Sequence, residues 1–344
     1  MAFDLSIAAE PWQAHLDSVH LSKPGLVPVI KGNGYGLGRA LLASQSQRIG
    51  TPMIAAGTYE EAAELLTVFP GDIQVLTPWR PFSLNVVDPR VIHSISRTED
   101  IAALAGQDPA ARILIEAQTS MRRHGIERGQ LDAAAVELAK STLKLEGFAS
   151  HLPMAGHNLA EASSWCGALT ETGLATSNFF VSHLTDPELA ALQSRHPNLT
   201  IRPRIGTSLW LGRLDSFEVS ATVLDVHEVS RGDRVGYRQE KLKKSGHIVI
   251  VAGGTSHGIG LEAPRAVSSA KDSAKAAAKG VLAASGRALS PFFVGQTQAW
   301  FVEPPHMQAS MIFLPKNLQA PKVGDRITAQ VRYTIASFDS ISLS

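Results

Sequence analysis

One cysteine, Cys166, in 344 residues leaves no internal disulfide and no cysteine-based metal cluster. It reads as an ordinary helix or core residue, and such scarcity fits a reducing compartment. Charge of one sign is just as scarce: 32 Lys and Arg against 31 Asp and Glu give a net charge of +1. The charges are scattered, so electrostatics makes no case for nucleic acid or an anionic membrane as a partner. No window approaches roughly 18 uninterrupted apolar residues, so no membrane span is expected. The N-terminal stretch lacks a basic start followed by an apolar run, and Asp4, Glu10 and Asp17 interrupt it. No secretory or transit signal is read there, and the cytoplasm is the expected compartment. What is present, 44% apolar and 18% charged residues, is the composition of a soluble globular protein. The length suggests two domains, with a barrel of roughly 200 residues as the main exception to a one-core limit.

Between residues 27 and 206, short apolar runs alternate with longer segments of helical periodicity. Parallel strands need a crossover and are buried on both faces, so this alternation is the sequence signature of a parallel sheet. The runs read as strands are VPVIKG, PMIAAGT, DIQVLT, VIHSIS, ARILIEAQ, LKLEGFASH, NFFVSHL and TIRPRIG, starting at Val27, Pro52, Asp72, Val91, Ala111, Leu143, Asn178 and Thr200. Eight such units close a (β/α)8 TIM-type barrel. Thr58, Thr98 and Thr185 each precede an acidic first turn and are read as N-caps. An open doubly wound sheet would want a GxGxxG turn after its first strand, and IKGNGYGLG is out of that register. After Gly212 the chain turns to β-branched alternation with Gly, Pro and Asp turns, which predicts a C-terminal antiparallel β domain. The expected domains are therefore residues 1–212 and 213–344. A helical insertion is expected at about 265–290, where Lys271, Lys275 and Lys279 would share a face. Those lysines mark either a basic arm for an anionic partner or, more commonly, a water-facing side.

Barrel active sites sit at the C-terminal ends of the strands. Here those ends carry Lys31, Gln118 followed by Met121, Arg122 and Arg123, then His151, His183, and Arg204 with Gly206. Lys31 follows a buried-type strand and precedes a loop with four glycines and Tyr35. Desolvation would strip its proton and make it a nucleophile towards an aldehyde. Spacing alone equally allows a lysine that snorkels to the rim. The glycines favour the first reading, because they let the backbone pass close to a bound group while Tyr35 donates to a phosphate. His183 is read as an ordinary rim residue.

VPVIKGNGYGLG resembles the cofactor-lysine signature of the alanine racemase family. In the same order, QTSMRRHGI resembles that family's arginine loop, FASHLP its strand-six histidine segment, and RPRIGTSLWLG its barrel-closing segment. GDRVGYR resembles the start of its β domain, and PPHMQASMIFLP a methionine-bearing strand there. The resemblance implies that pyridoxal 5'-phosphate is held as a Schiff base on Lys31, and that Lys31 and Tyr237 are bases on opposite faces of the substrate. It places Arg204 at the pyridine nitrogen, His151 beside the ring, and Tyr35, Gly206 and Thr207 at the phosphate. Arg123 and Met307 would meet the substrate carboxylate. It further implies a small amino-acid substrate, a homodimer with shared active sites in which Tyr237 and Met307 reach the neighbouring protomer, and no metal.

Several positions depart from the family pattern. Glu116 stands where the family has a lysine, often carbamylated, that orients the arginine matched by Arg123; a carboxylate there is expected to hold Arg123 by direct ion pairing. Gln308 replaces an aspartate, Ala252 and Ser337 replace tyrosines, and LTDPE replaces a phosphate-binding run for which Thr185 is a substitute. The leading expectation is a racemase, with alanine as a candidate substrate. A non-catalytic or retuned cofactor-binding protein of the same fold is the alternative. A decarboxylase of this barrel type would want an acid where Arg204 stands and a cysteine after Cys166, and neither is present.

Overall fold

The computed structural model describes residues 2–84, 86–172, 174, 176–261 and 288–344. They form two compact units, Gln13–Gly212 and the residues up to Trp12 together with those from Arg213 onward.

In the first unit eight parallel strands close on themselves: β2 (Val27–Ile30), β3 (Met53–Ala56), β4 (Asp72–Val75), β5 (Val91–Ile95), β6 (Arg112–Ala117), β7 (Lys144–His151), β8 (Asn178–Ser182) and β9 (Thr200–Ile205), following β1 (Phe3–Ile7) in the other unit. The last pairs with the first, Val27 opposite Arg204. All eight predicted runs are therefore strands of one (β/α)8 barrel. The helices are α1 (Ala9–Ser22), α2 (Arg39–Arg48), α3 (Tyr59–Leu65), α4 (Glu99–Gln107), α5 (Leu131–Ala139), α6 (Asn158–Glu171), α7 (Asp186–Arg195) and the short α8 (Thr207–Trp210). Thr58 caps α3 by accepting from the Glu61 N–H, and Glu188 accepts from both the N–H and the hydroxyl of Thr185 at the start of α7. Thr98 departs from expectation: its backbone is already helical, it makes no cap bond, and its buried hydroxyl has no partner among the described residues. Cys166 is a buried residue of α6, where burial pushes its thiol up to about 12.

Inside the barrel Val27, Val29, Met53, Ala55, Ile92, Leu114, Ala149 and Phe180 pack together, with Leu76 against them. Because side chains alternate along a strand, the next inward position on each strand lies two residues on. From β2 to β9 those positions are Lys31, Gly57, Leu76, Ser94, Glu116, His151, Ser182 and Arg204. An apolar floor thus gives way to a largely polar mouth within one step of the pleat.

The second unit is an eight-stranded sheet ordered β13-β16-β15-β14-β17-β10-β1-β18, with β10 also pairing β13. Its further members are β10 (Phe217–Val229), β11 (Arg234–Val235), β12 (Glu240–Lys241), β13 (Gly246–Ala252), β14 (Leu289–Val294), β15 (Thr297–Phe301), β16 (Ala309–Pro315), β17 (Arg326–Ala329) and β18 (Ser340–Leu343); β11 and β12 form a separate hairpin. One expectation changes here, and another falls largely outside the described residues. The N-terminal segment, read as part of the barrel domain, supplies β1, which pairs antiparallel with β10 and parallel with β18. Its alternation FDLSI buries Phe3, Leu5 and Ile7 in this sheet. The helical insertion at 265–290, with Lys271, Lys275 and Lys279, lies outside the described residues except at its end, where Leu289 and Ser290 open a strand.

Candidate active site at the barrel mouth

Lys31 leaves β2 into a loop whose backbone is largely left-handed: Gly32, Gly34, Gly36 and Gly38 have φ of 60, 64, 81 and 81°, and Tyr35 has 56°. A tyrosine in that conformation is strained by its Cβ, a cost that recurs where function dictates geometry. Arg122 (51°) and His183 (61°) are strained in the same way, and both lie in loops at strand ends of this mouth.

Glu61 of α3 locks the loop. One carboxylate oxygen accepts from the Gly32 N–H and the other from the Gly57 N–H, both at 2.8 Å. The exits of β2 and β3 are thereby tied together beneath Lys31. A Cβ on Gly57 would lie 2.6 Å from the Glu61 carboxylate and 2.9 Å from the Lys31 Cβ, so the lysine stem runs through space that only glycine leaves open. Loss of hydration at the mouth, then the Arg123 and Arg204 cations, hold the Lys31 amine below the ordinary lysine range, while Glu61 opposes them.

Arg204 is buried in the barrel. Burial pulls its pKa down, with Glu116 opposing and Arg123 assisting; a guanidinium nevertheless stays charged. Its Nε and Nη2 find no acceptor among the described residues. Two buried donors without partners cost on the order of 1–3 kcal/mol each unless a bound group accepts from them. Glu116 is also buried, and desolvation raises its pKa against the pull of Arg204 and Arg123. The direct ion pair expected between Glu116 and Arg123 is not formed: among the described residues Glu116 makes none within 4.0 Å, and Arg123 is exposed. Glu116 therefore acts on Arg123 through the field alone.

His151 ends β7 with its Nδ1 2.7 Å from the Ser182 hydroxyl. Burial first, then Arg204, Arg123, His183 and Lys31, depress its pKa to about 3, so the imidazole is neutral at ordinary pH. The ring of His183 meets it edge-on at 5.1 Å. Thr119 donates to the His151 carbonyl at 2.6 Å and steadies the strand end.

On the other side, the Tyr35 ring is buried against Gly206, where an added Cβ would lie 2.0 Å from the phenol oxygen. The phenol thus meets the turn at Gly206, and the exposed Thr207 follows it in the chain. Trp210 of α8 donates from its indole nitrogen to the Val29 carbonyl at 2.8 Å, which keys this turn to the strand bearing Lys31. A separate hollow of about 590 Å³, lined by Gln118, Arg122, Glu127, Arg128 and Trp165, includes none of these groups.

This set fits a flat, phosphorylated aldehyde: an amine with a lowered pKa, a fixed cation with unpartnered donors, a neutral imidazole, and a phenol beside a backbone turn. The family model described as "Alanine racemase, N-terminal domain" matches residues 12–188, just over half the chain. The chain belongs to the alanine racemase family. A curated relative, the amino-acid racemase of Enterococcus faecalis, is 28% identical over 273 residues, 72% of this chain and 38% of the relative. The chain thus matches well under half of that relative's length. Among solved structures of this fold, the alanine racemase of Streptomyces lavendulae aligns over 100% of this chain and 97% of its own at 18% identity, with a TM-score of 0.71. That of Bartonella henselae, which carries covalently bound pyridoxal phosphate, aligns over 96% and 91% at 17% identity, also with a TM-score of 0.71.

The barrel unit thus contains seven of the residues singled out in the sequence, Lys31, Tyr35, Arg123, His151, Arg204, Gly206 and Thr207. Tyr237 and Met307 belong to the sheet unit, where both are exposed. In that unit Ser337 donates to the Ser256 carbonyl at 2.8 Å, and Ala252 is buried at the end of β13. Thr185 is committed to Glu188 at its helix cap. Glu61 and Ser182 were not anticipated. The phase of Phe180 on β8 points to Ser182, but Glu61 reads in sequence as one more first-turn acid.

Proposed function

We propose that the chain is a pyridoxal-phosphate-dependent amino-acid racemase that moves the substrate α-proton between two bases, Lys31 and Tyr237. The observation that carries this reading is the Lys31 amine, held below its ordinary pKa at a barrel mouth where Arg204 presents buried donors with no acceptor among the described residues. Tyr35, Gly206 and Thr207 would hold the phosphate, Arg204 would face the ring nitrogen, and His151 would pack beside the ring. When bound, the cofactor supplies the electron sink that makes the α C–H acidic. Arg204 would bring a permanent positive charge to that nitrogen, which would disfavour its protonation and keep the sink weak enough to limit side reactions.

Racemisation needs a proton to leave one face and return on the other. Lys31 would serve one face as the neutral amine that takes the proton, a form favoured by its burial and by the Arg123 and Arg204 cations. The Tyr237 phenol serves the other. Arg123 and the Met307 N–H would orient the substrate carboxylate, with the Glu116 field steadying Arg123. The family resemblance supports a cytoplasmic homodimer in which each protomer's Tyr237 and Met307 serve the other's Lys31, and an alanine-like substrate. The test is borohydride reduction of the protein loaded with pyridoxal phosphate, peptide mapping, and α-proton exchange in deuterium oxide with L- and D-alanine and a panel of amino acids. Trapping at Lys31 together with exchange on one or more amino acids is expected. Trapping elsewhere, or exchange on none, overturns the reading. Trapping at Lys31 without exchange would instead favour a cofactor-binding protein without turnover, the reading motivated by Ala252, Gln308 and Ser337.

A further inference from the structure

Tyr237 poses a physical problem for a catalytic group. In the single protomer it is 85% exposed, on the turn of the short hairpin formed by β11 and β12, which pair at Arg234–Lys241 and Val235–Glu240 and are extended by the Gly232 N–H to the Leu242 carbonyl and the Leu242 N–H to the Asp233 carbonyl. A phenol so placed samples many orientations unless something fixes it, and a small misplacement is costly to proton transfer.

The fixing group is the Glu303 carboxylate, whose side chain is only 10% exposed. One oxygen accepts from the Tyr237 N–H at 2.9 Å, and the other meets His306 Nε2 at 2.7 Å. The approach depends on Gly236, which has φ of 70° and where a Cβ would lie 2.4 Å from the carboxylate. The His306 ring then leans on the Tyr237 ring, their centroids 4.8 Å apart. The segment bearing His306 is itself anchored: the His306 carbonyl accepts from Thr255 N–H at 2.8 Å, and the Met307 carbonyl accepts from the N–H and hydroxyl of Ser256 at 3.0 and 2.6 Å. Backbone and ring of Tyr237 are thus held by two adjoining side chains on a segment that also carries Met307.

We propose that Glu303 and His306 are positioning residues for Tyr237, fixing the phenol's direction and coupling its place to that of Met307. The inference rests on the reading of Tyr237 as a catalytic base. Neither residue need touch substrate or exchange a proton with it. Glu303 holds the Tyr237 backbone, and His306 restricts the ring.

The experiment compares Glu303→Ala, Glu303→Gln, His306→Ala and Tyr237→Phe as cofactor-loaded protein. It reads hydrogen exchange of the Tyr237 amide by mass spectrometry alongside kcat and KM for each enantiomer. Glu303→Ala should cost the amide about tenfold in protection and lower kcat by about 10–100-fold with KM nearly unchanged, the signature of a misplaced base. Glu303→Gln retains an oxygen to accept from the Tyr237 N–H and should restore most of both. His306→Ala, a change at a partly exposed side chain that spares the carboxylate, should lower kcat by about threefold to tenfold while leaving amide protection intact. Unchanged protection and kcat in Glu303→Ala, with Tyr237→Phe inactive, overturns the positioning role and leaves the racemase reading standing. Full turnover in Tyr237→Phe removes the base and the positioning role together. Should Glu303→Ala fail to fold, His306→Ala decides, and normal kcat there overturns the proposal.

Discussion

Lys31 stands at a rim to which eight strands each bring one inward position, whereas Tyr237 stands on the turn of a short hairpin held through the Glu303 carboxylate. In the barrel, orientation follows from the pleat. Once Val27 and Val29 are committed to the core, Lys31 has one direction to take, and Glu61 only fastens the exit. In the sheet unit, exposure leaves orientation open, and individual polar contacts must supply it. Under the proposed function the same kind of requirement, an acid or base aimed at a point, would be met by collective packing in one region and by a short chain of hydrogen bonds in the other. Damage should therefore spread differently: perturbations of the rim should disturb cofactor and base together, and those around the hairpin the base alone.

The sharpest break of that contrast is Lys31→Ala against Tyr237→Phe. The first should abolish covalent trapping of the cofactor and cut α-proton exchange by about 10⁴-fold or more; the second should spare trapping and cost a similar factor in racemisation alone. Reduced peptide maps and deuterium uptake measure both. Gly206→Ala comes next. Its methyl would need space at the Tyr35 hydroxyl, so the phenol must move, and cofactor affinity should fall by about tenfold to 100-fold in a fluorescence titration.

A smaller effect concerns acid stability. His93 is buried on β5, its Nδ1 3.0 Å from the Tyr59 hydroxyl, and desolvation lowers its pKa to about 4. Because the folded pKa lies below the unfolded one, the unfolded chain binds more protons between about pH 6.5 and 4, and stability falls as pH falls through that window. His93→Gln should make the urea midpoint less pH-dependent there, by up to about one proton's worth of slope, whatever its effect at pH 8. The smallest effect separates two matching threonines. Thr58→Ala should cost about 1 kcal/mol, while Thr98→Ala, which removes no cap bond, should fall within about 0.5 kcal/mol of neutral in the same denaturation experiment.

How much of this was legible in the chain depended on whether the cause was local. Strands buried on both faces are continuous apolar runs, so all eight barrel strands could be read, and with them the polar residues at their ends. Long-range pairing leaves no comparable mark. FDLSI alternates well, yet nothing local says that its partner is β10 and not a neighbour in the barrel. SISL at Ser340–Leu343 is exposed along its length, so it lacks the contrast that announces a strand. Glu61 and Glu303 were invisible as functional groups for the same reason: each serves backbone donors distant in sequence, Gly32 at one and Tyr237 at the other. Backbone strain at Tyr35, Arg122, His183 and Gln239 has no sequence signature at all, since none of these is glycine.

The place of β1 bears on how the molecule is made. It precedes the barrel in the chain, yet Phe3 lies opposite Ala221 and Asp4 opposite Ser340, so neither neighbour exists until the barrel has been synthesised. Its apolar face must wait, unpaired, while the barrel is synthesised. The barrel can therefore close before the sheet does, and the hairpin that bears Tyr237 joins a unit completed only when Ser340–Leu343 arrives.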